Sequence, residues 1–326
     1  MLFYLIKRIV SSIIIILGIL TVTFFIIHLV PGDAISLYEN PSMDQATREL
    51  VCHAYGLDQA ILVQYLKWLH TLLIKGDLGY SLAQNMTVSE ILRNAIPNTV
   101  ILMGAALLLN FMLGILSGIL SASKQNSKFD HFLSLSGLAL YSLPVFWVSL
   151  MFLLLFSFLI PIFPPSHMHS VYAESMGRFG RFLDLLKHLA LPSLCLGITS
   201  GATTARFTRA GLIEIMGEDF IRTARAKGAS ERTIVMKHSF KNALLPVITL
   251  FGLYFPFLIG GSLIVEVIFS WPGMGRVTYN AILARDYPVV IGSTLVASIM
   301  VILGNIFADF LYAIVDPRIR LGREKS

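Results

Sequence analysis

Six stretches of this chain contain no Asp, Glu, Lys or Arg: Ile9–Val30, Thr99–Ala122, Phe132–Ile160, Leu189–Ala205, Ala243–Val265 and Val289–Ala308. About 20 apolar residues in helical form cover the hydrocarbon core of a bilayer, where each backbone polar group must be satisfied within its own segment. The expected fold is therefore an all-α membrane protein with six transmembrane helices. The charge supply agrees, because 13% charged residues is about half of what a soluble domain uses to cover its surface. With 24 Gly, 13 Pro and 2 Cys, the chain is not collagen-like, disordered or a disulfide scaffold. Cys52 and Cys195 lie in segments of different character, so no bridge between them is expected. The third run is long and interrupted by Pro144, and the fourth is short with Pro192 near its start. The first follows Lys7 and Arg8, is too long for the apolar part of a signal peptide and lacks a small-residue cleavage site, so it reads as a retained anchor.

A cytoplasmic N-terminus places sixteen basic residues on the inside and nine on the longer outside segments. The positive-inside rule then puts both termini in the cytoplasm. The same bias accounts for the net charge of +6 without a nucleic-acid surface. Most of the outside is Pro31–Ile96, with seven acidic and four basic residues. There Asp58 is placed to cap a helix that Gly76 ends, with Ile61, Leu62, Tyr65, Leu66, Leu69, Leu72 and Leu73 on its apolar face. Such a helix either packs against the bundle or lies on the membrane surface. Three regions follow: 1–30, an N-terminal segment and first helix; 31–96, an external region with amphipathic helices; and 97–326, a core of five transmembrane helices with a cytoplasmic loop at 206–242.

Catalytic and energising parts are missing from the pattern. There is no G-x-x-x-x-G-K-[ST] phosphate loop, no H-E-x-x-H and no C-x-x-C. His167 and His169 form the only close histidine pair and underfill a metal site, so neither metal nor cofactor is expected. A secondary transporter normally carries ionisable groups within its spans, and these have none. They carry small residues at helix-packing intervals, Gly114 and Gly118, Gly197 and Gly201, and the pair Gly260–Gly261. The spans thus read as a conduit without its own energy source, which calls for an energising partner. An intramembrane hydrolase and a non-transporting scaffold are the readings from other classes.

The long loop Arg206–Lys241 is where a partner would dock. Glu214–Lys227 reads as an amphipathic helix ended at Gly228, and Ser230 then caps a second helix with Glu231 in its first turn. Two short helices hinged at a glycine make a knob with apolar faces (Phe220, Ile221, Ala224; Ile234, Val235) and a basic rim. A solvated basic loop, or one touching anionic lipid, is the alternative.

In this loop, Arg222-Thr-Ala-Arg-Ala-Lys-Gly228 followed by Asn242-Ala-Leu-Leu-Pro246 resembles the cytoplasmic loop of ATP-binding-cassette importer permeases of the peptide and nickel branch. The general pattern is E-A-A-x3-G-x9-I-x-L-P; Arg222 and Thr223 replace its first two letters, and the Gly-to-Pro interval is longer. The likeness extends along nearly the whole chain, through Pro31-Gly-Asp33, Tyr55-Gly-Leu-Asp58, Gln64-Tyr65, Gly76-Asp-Leu-Gly79 with Ser81, Pro97-Asn-Thr99, Glu266 with Phe269-Ser-Trp-Pro-Gly273, Ala284-Arg-Asp-Tyr-Pro288 and Asp316-Pro-Arg318. It implies a type I importer permease of the inner membrane, not itself an enzyme. The implied partners are a homologous permease, two cytoplasmic ATPases and an external solute-binding protein.

On that resemblance the knob Asp219–Thr233 transmits ATPase closure to the spans. Ala224, Ala226 and Gly228 allow close approach, Arg222, Arg225 and Lys227 offer charge-assisted bonds, and Phe220, Thr223 and Ser230 complete the surface. Gly228→Asp is expected to abolish uptake and weaken ATPase association without unfolding the spans. Pro144, Pro256, Gly260 and Gly261 are candidates for the pathway or its gate, with plain packing as the other reading. Di- or oligopeptides are the first expectation for cargo, with nickel or a nickel chelate next and glutathione or opine-like solutes behind.

Overall fold

The computed structural model describes residues 2–29, 58–243, 245–255 and 257–315. Its elements, in chain order, are α1 (Leu2–Leu29), α2 (Ile61–His70), a short hairpin of β1 (Tyr80–Ser81) and β2 (Met86–Thr87), α3 (Val88–Ser123), α4 (Lys128–Ser142), α5 (Val145–Leu153), α6 (Arg178–Met216), α7 (Asp219–Ala226), α8 (Glu231–Thr233), α9 (Phe240–Ala243), α10 (Leu245–Tyr254), α11 (Phe257–Gly260), α12 (Leu263–Ile268), α13 (Met274–Leu283) and α14 (Tyr287–Val315).

Among the described residues, four helical stretches are long and apolar enough to cross a membrane: Val10–Leu29, Val88–Ser123, Arg178–Met216 and Tyr287–Phe307. A fifth exists if α4 and the helix Val145–Leu159 count together, although the two are bent by 102°. Leu143 causes the bend, because the ring of Pro144 pushes the preceding residue out of the α region and Leu143 sits at φ −81°, ψ 132°. The fifth apolar run, Ala243–Val265, is not the single helix that its sequence suggests. It divides into α10, α11 and α12, with Gly261 at φ +70° between the last two. A side chain there would meet Glu266 Oε1 at 2.5 Å and Thr99 Cγ2 at 3.1 Å, so the chain turns at the one residue type that fits.

Two of the helices that outrun their charge-free stretches carry the main packing seam. α3 begins at Val88, capped by Thr87, whose hydroxyl accepts from Glu90 N–H, and α6 runs for 39 residues through Pro192. α3 and α6 pack along a line of small residues. A Cβ on Gly114 would fall 2.6 Å from Thr204 Cβ, one on Gly118 the same distance from Thr208 Cβ, and one on Gly197 the same distance from Leu109 Cβ. Asn110 and Thr204, both buried, close this seam with a hydrogen bond of 2.6 Å.

The helix expected in region 31–96 ends where its sequence suggests: α2 continues through a π-helical turn at Thr71–Lys75, and Gly76 after it is left-handed at φ +64°. Its start differs: Ala60 precedes the first helical residue, no side chain caps it, and Asp58 lies in the turn before. One side of it, Tyr65, Trp68 and Leu72, packs on Leu20, Phe24 and Ile291 of α1 and α14. Leu62, Leu66 and Leu73, expected on that face, are exposed. Large exposed apolar residues also cover α1, α3 and α4, Ile14, Leu108 and Leu135 among them, as a lipid-facing surface requires.

Candidate functional site

The loop between α6 and α10 does form a two-helix knob, with one shift of boundary. Glu214, Ile215 and Met216 finish α6, the chain breaks at Gly217, and α7 starts at Asp219. The expected single helix Glu214–Lys227 is therefore two, because Gly217 N–H closes the α6 end on Glu214 and Ile215 carbonyls and Glu218 is extended. Gly228 is left-handed at φ +82°. Its N–H bonds Arg225 O at 2.9 Å, and Ala229 N–H reaches Ala224 O at 3.2 Å, the paired bonds that satisfy a helix's last carbonyls. Ser230 accepts from Thr233 N–H and caps α8.

Ile221, Ile234 and Val235 form the buried interior of the knob. Phe220, placed on that apolar side by its spacing, is instead 45% exposed. It shares the outer surface with Arg222, Thr223, Ala226, Lys227, Gly228 and Ser230, while Ala224 is half-buried. Arg225, exposed like them, reaches across the hinge: its Nε and Nη2 bond Glu231 Oε1 and Oε2 at 2.8 and 3.2 Å. This guanidinium holds the Glu231 carboxyl below its ordinary value.

Two contacts tie the neighbouring helices together where the knob joins them. A Cβ on Gly211 would lie 3.0 Å from Ala243 O, so α9 rests directly on α6, and Ala122, Leu212 and Ala243 form a small core there. Nearby, buried Asp130 receives two bonds of 2.8 Å from Arg209 of α6. It also accepts from the Ser121 hydroxyl of α3 and from Asn126 N–H at 2.9 Å. One carboxylate thus binds the knob-side ends of α3, α4 and α6.

Toward the opposite end lies a second polar node. Thr99, fully buried, donates to Glu266 Oε1 at 3.0 Å and accepts from Met274 N–H at 2.7 Å, and Arg276 N–H donates to Glu266 Oε2 at 3.1 Å. Trp271 Nε1–H bonds Asn98 O at 2.8 Å, and Asn98 Nδ2 bonds Pro272 O at 2.9 Å. Beyond it, Ser81 donates to Asp286. Burial pushes the Asp286 carboxyl above the usual carboxylate range, and the Ser81 bond opposes that shift. Sequence motifs 167 to 205 residues apart are therefore partners: Asn98 and Thr99 with Glu266 and Trp271, Ser81 with Asp286.

The conduit candidates separate. Pro144 makes the bend after α4, and Pro256 lies outside the described residues. The Gly260–Gly261 turn stands between two cavities. One, of about 300 Å³, is lined by Gly260, Leu263, Thr278 and Ser298; the other, of about 240 Å³, by Gly261, Asn110, Ser200 and Tyr254. A third cavity, about 510 Å³, lies among α3, α4 and α6. His167 and His169 do not converge on a metal-binding cluster among the described residues; His169 pairs with Asp184 at 3.2 Å.

The architecture has a counterpart in a chain of the MetNI methionine ABC transporter solved in inward-facing conformations, with a TM-score of 0.53 at 16% identity over 70% of this chain and 97% of that one. The two chains share a fold. Residues 114–321 match the family described as "Binding-protein-dependent transport system inner membrane component", and residues 1–103 match the N-terminal family of the same systems. Among curated relatives, the oligopeptide transport system permease protein AppB of Bacillus subtilis is 41% identical over 97% of this chain and 98% of its own length. The di/tripeptide transport system permease protein DppB of Pseudomonas aeruginosa is 38% identical, and the dipeptide transport system permease protein DppB of Escherichia coli K12 is 36% identical, each over 93% of this chain and 94% of its own. The chain belongs to the binding-protein-dependent transport system inner membrane components. It is a membrane-embedded transport subunit that works with ATPase and substrate-binding partners, and hydrolysis of ATP belongs to the ATPase subunits.

Sequence reasoning passed over Asp130 and Arg209. The signal was Asp130, the charged residue just before the run Phe132–Ile160, since a carboxylate that becomes buried needs a partner.

Proposed function

We propose that this subunit conducts di- or oligopeptides across the cytoplasmic membrane as one half of a heterodimeric channel, paired with a homologous permease, two ATPases and an external binding protein. Both termini lie in the cytoplasm, and the segments α10–α12 together make the sixth crossing. The observation that carries the reading of the cargo is full-length identity of 36–41% to subunits that are each named for peptide transport. The external region 31–96 receives the binding protein, and 97–326 holds the core.

In this reading the knob at Asp219–Thr233 seats on the ATPase through Phe220, Arg222, Thr223, Ala226, Lys227, Gly228 and Ser230, with Ala224 behind them. Arg225 has a different duty from its neighbours: clasped to Glu231, it keeps the two knob helices as one body. The seat of α9 on Gly211 and the Asp130–Arg209 node then pass a push on the knob to α3, α4 and α6 together. The turn at Gly260–Gly261, with cavities on either side, supports a gate at that level, and Pro144 and Pro256 join it as pathway candidates. A mild-detergent purification from the native membrane, with the co-purifying subunits identified and the binding protein assayed against peptides, nickel chelates and glutathione, tests the whole. Peptide binding with a second permease and an ATPase is the expected result; a binding protein that takes only nickel or glutathione removes the peptide reading.

A further inference from the structure

The 510 Å³ cavity among α3, α4 and α6 belongs to neither the knob nor the Gly260–Gly261 turn. Its walls are mainly apolar, with Leu113, Leu133, Leu138, Leu140, Ile198 and Ala202 prominent. Two guanidinium groups line it, and they differ in one respect. Arg209 is neutralised by Asp130 through two bonds of 2.8 Å. Arg206 meets no carboxylate among the described residues; it lies 5.4 Å from the Tyr141 ring centroid and 5.9 Å from that of Phe207. Arg206 is also the first charged residue after the charge-free run 189–205 of α6, which places it where the hydrocarbon of the bilayer gives way to head groups. Leu138, Tyr141 and Phe207 beside it are exposed, so the mouth of the cavity opens toward lipid.

An apolar groove with one uncommitted cation at the membrane boundary matches an amphiphile with one anionic head. A zwitterionic peptide fits less well, because its ammonium would need a carboxylate and the nearby one, Asp130, is already bonded to Arg209. We propose that this cavity binds an anionic phospholipid of the leaflet on the knob side, its phosphate on Arg206 and an acyl chain along the apolar wall. Tyr141 holds the guanidinium face, leaving its N–H edge for the phosphate. Because the same cavity is walled by the helices that the knob engages, the lipid wedges α4 against α6.

The test uses the assembled importer reconstituted with phosphatidylethanolamine and phosphatidylglycerol, delipidated and examined by native mass spectrometry. Wild type should retain phosphatidylglycerol that Arg206→Gln binds about tenfold less tightly, the loss of a charge-assisted contact. Arg178→Gln, the same charge change on an exposed residue at the other end of α6, should retain it. If Arg206→Gln does not assemble, Ala202→Leu fills the cavity with the arginine intact and should also release the lipid. Equal retention by wild type and the cavity variant overturns the proposal. So does displacement of the lipid by excess inorganic phosphate, which would make this a free-anion site. Loss of the second permease with lipid retention unchanged also overturns it, because Arg206 would then face a protein partner.

Discussion

Thr99→Val removes one oxygen and tests how far the node around Glu266 supports this fold. Valine matches threonine in shape, so packing is preserved, while two bonds disappear: the donation to Glu266 Oε1 at 3.0 Å and the acceptance from Met274 N–H at 2.7 Å. A buried N–H left without a partner costs about 1–3 kcal/mol, and a typical intramolecular hydrogen bond contributes about 0.5–1.5 kcal/mol. The sum is about 1.5–4.5 kcal/mol, large against typical stabilities of about 5–15 kcal/mol. Thr99→Ser keeps the hydroxyl and loses a methyl group, which costs about 1 kcal/mol. Trp271 is fully buried and bonded to Asn98 O, so its fluorescence reports on the node once Trp68 and Trp147 are replaced by Phe. Thermal or SDS-induced unfolding of the importer in mixed micelles should rank wild type above Ser above Val. A valine variant as stable as wild type, or a serine variant less stable than valine, would refute the reasoning that the hydroxyl rather than its shape holds α3 to α12 and α13.

The α3–α6 seam should resist enlargement. Gly114→Leu would drive side-chain atoms into Thr204 and the Gly201 carbonyl and should cost at least the ~1–3 kcal/mol typical of overpacking, read as a lower unfolding midpoint than that of Gly104→Leu, where a Cβ meets nothing within 4 Å. Gly228 has open space around it and a positive φ, so backbone strain decides: Gly228→Asn should retain more co-purifying ATPase than Gly228→Val, with Gly228→Asp lowest because it adds an anion to the basic rim. For the hinge clasp, Arg225→Glu and Glu231→Arg should each reduce peptide-stimulated ATP hydrolysis and the double exchange should restore it; its absence of rescue would show that Arg225 acts outside the knob. Both partners are exposed, so stability should change by under ~1 kcal/mol. Asp286 has a raised folded-state pKa, so its contribution favours the folded state below the unfolded carboxyl value and is lost as pH rises through the folded one; Asp286→Asn should flatten that acid-side slope in unfolding measured against pH.

The apolar runs were legible because absence of charge is a property of each segment alone. What hydropathy does not state is where a helix ends. α6 continues past the lipid-suited run through Arg206, Arg209 and Glu214, because leaving the hydrocarbon does not unwind a helix. Local chemistry fixed the Gly228 hinge and the Ser230 cap, which depend on neighbours in sequence. Gly217 was hidden, since Glu214–Lys227 kept an amphipathic pattern across a break made by the backbone. The Thr99–Glu266 and Ser81–Asp286 pairs depend on residues far apart in the chain. Their motifs were visible as an ordered series, but which residue touches which is decided by packing.

The length of α6 has a mechanical consequence. At 39 residues it measures about 58 Å, nearly twice the ~30 Å hydrocarbon thickness, and its glycine contacts with α3 start near the middle at Gly197. The seam continues from there toward the knob through Thr204 and Thr208, so a displacement at the knob end is carried by α3 and α6 as one rigid pair rather than by α6 tilting alone.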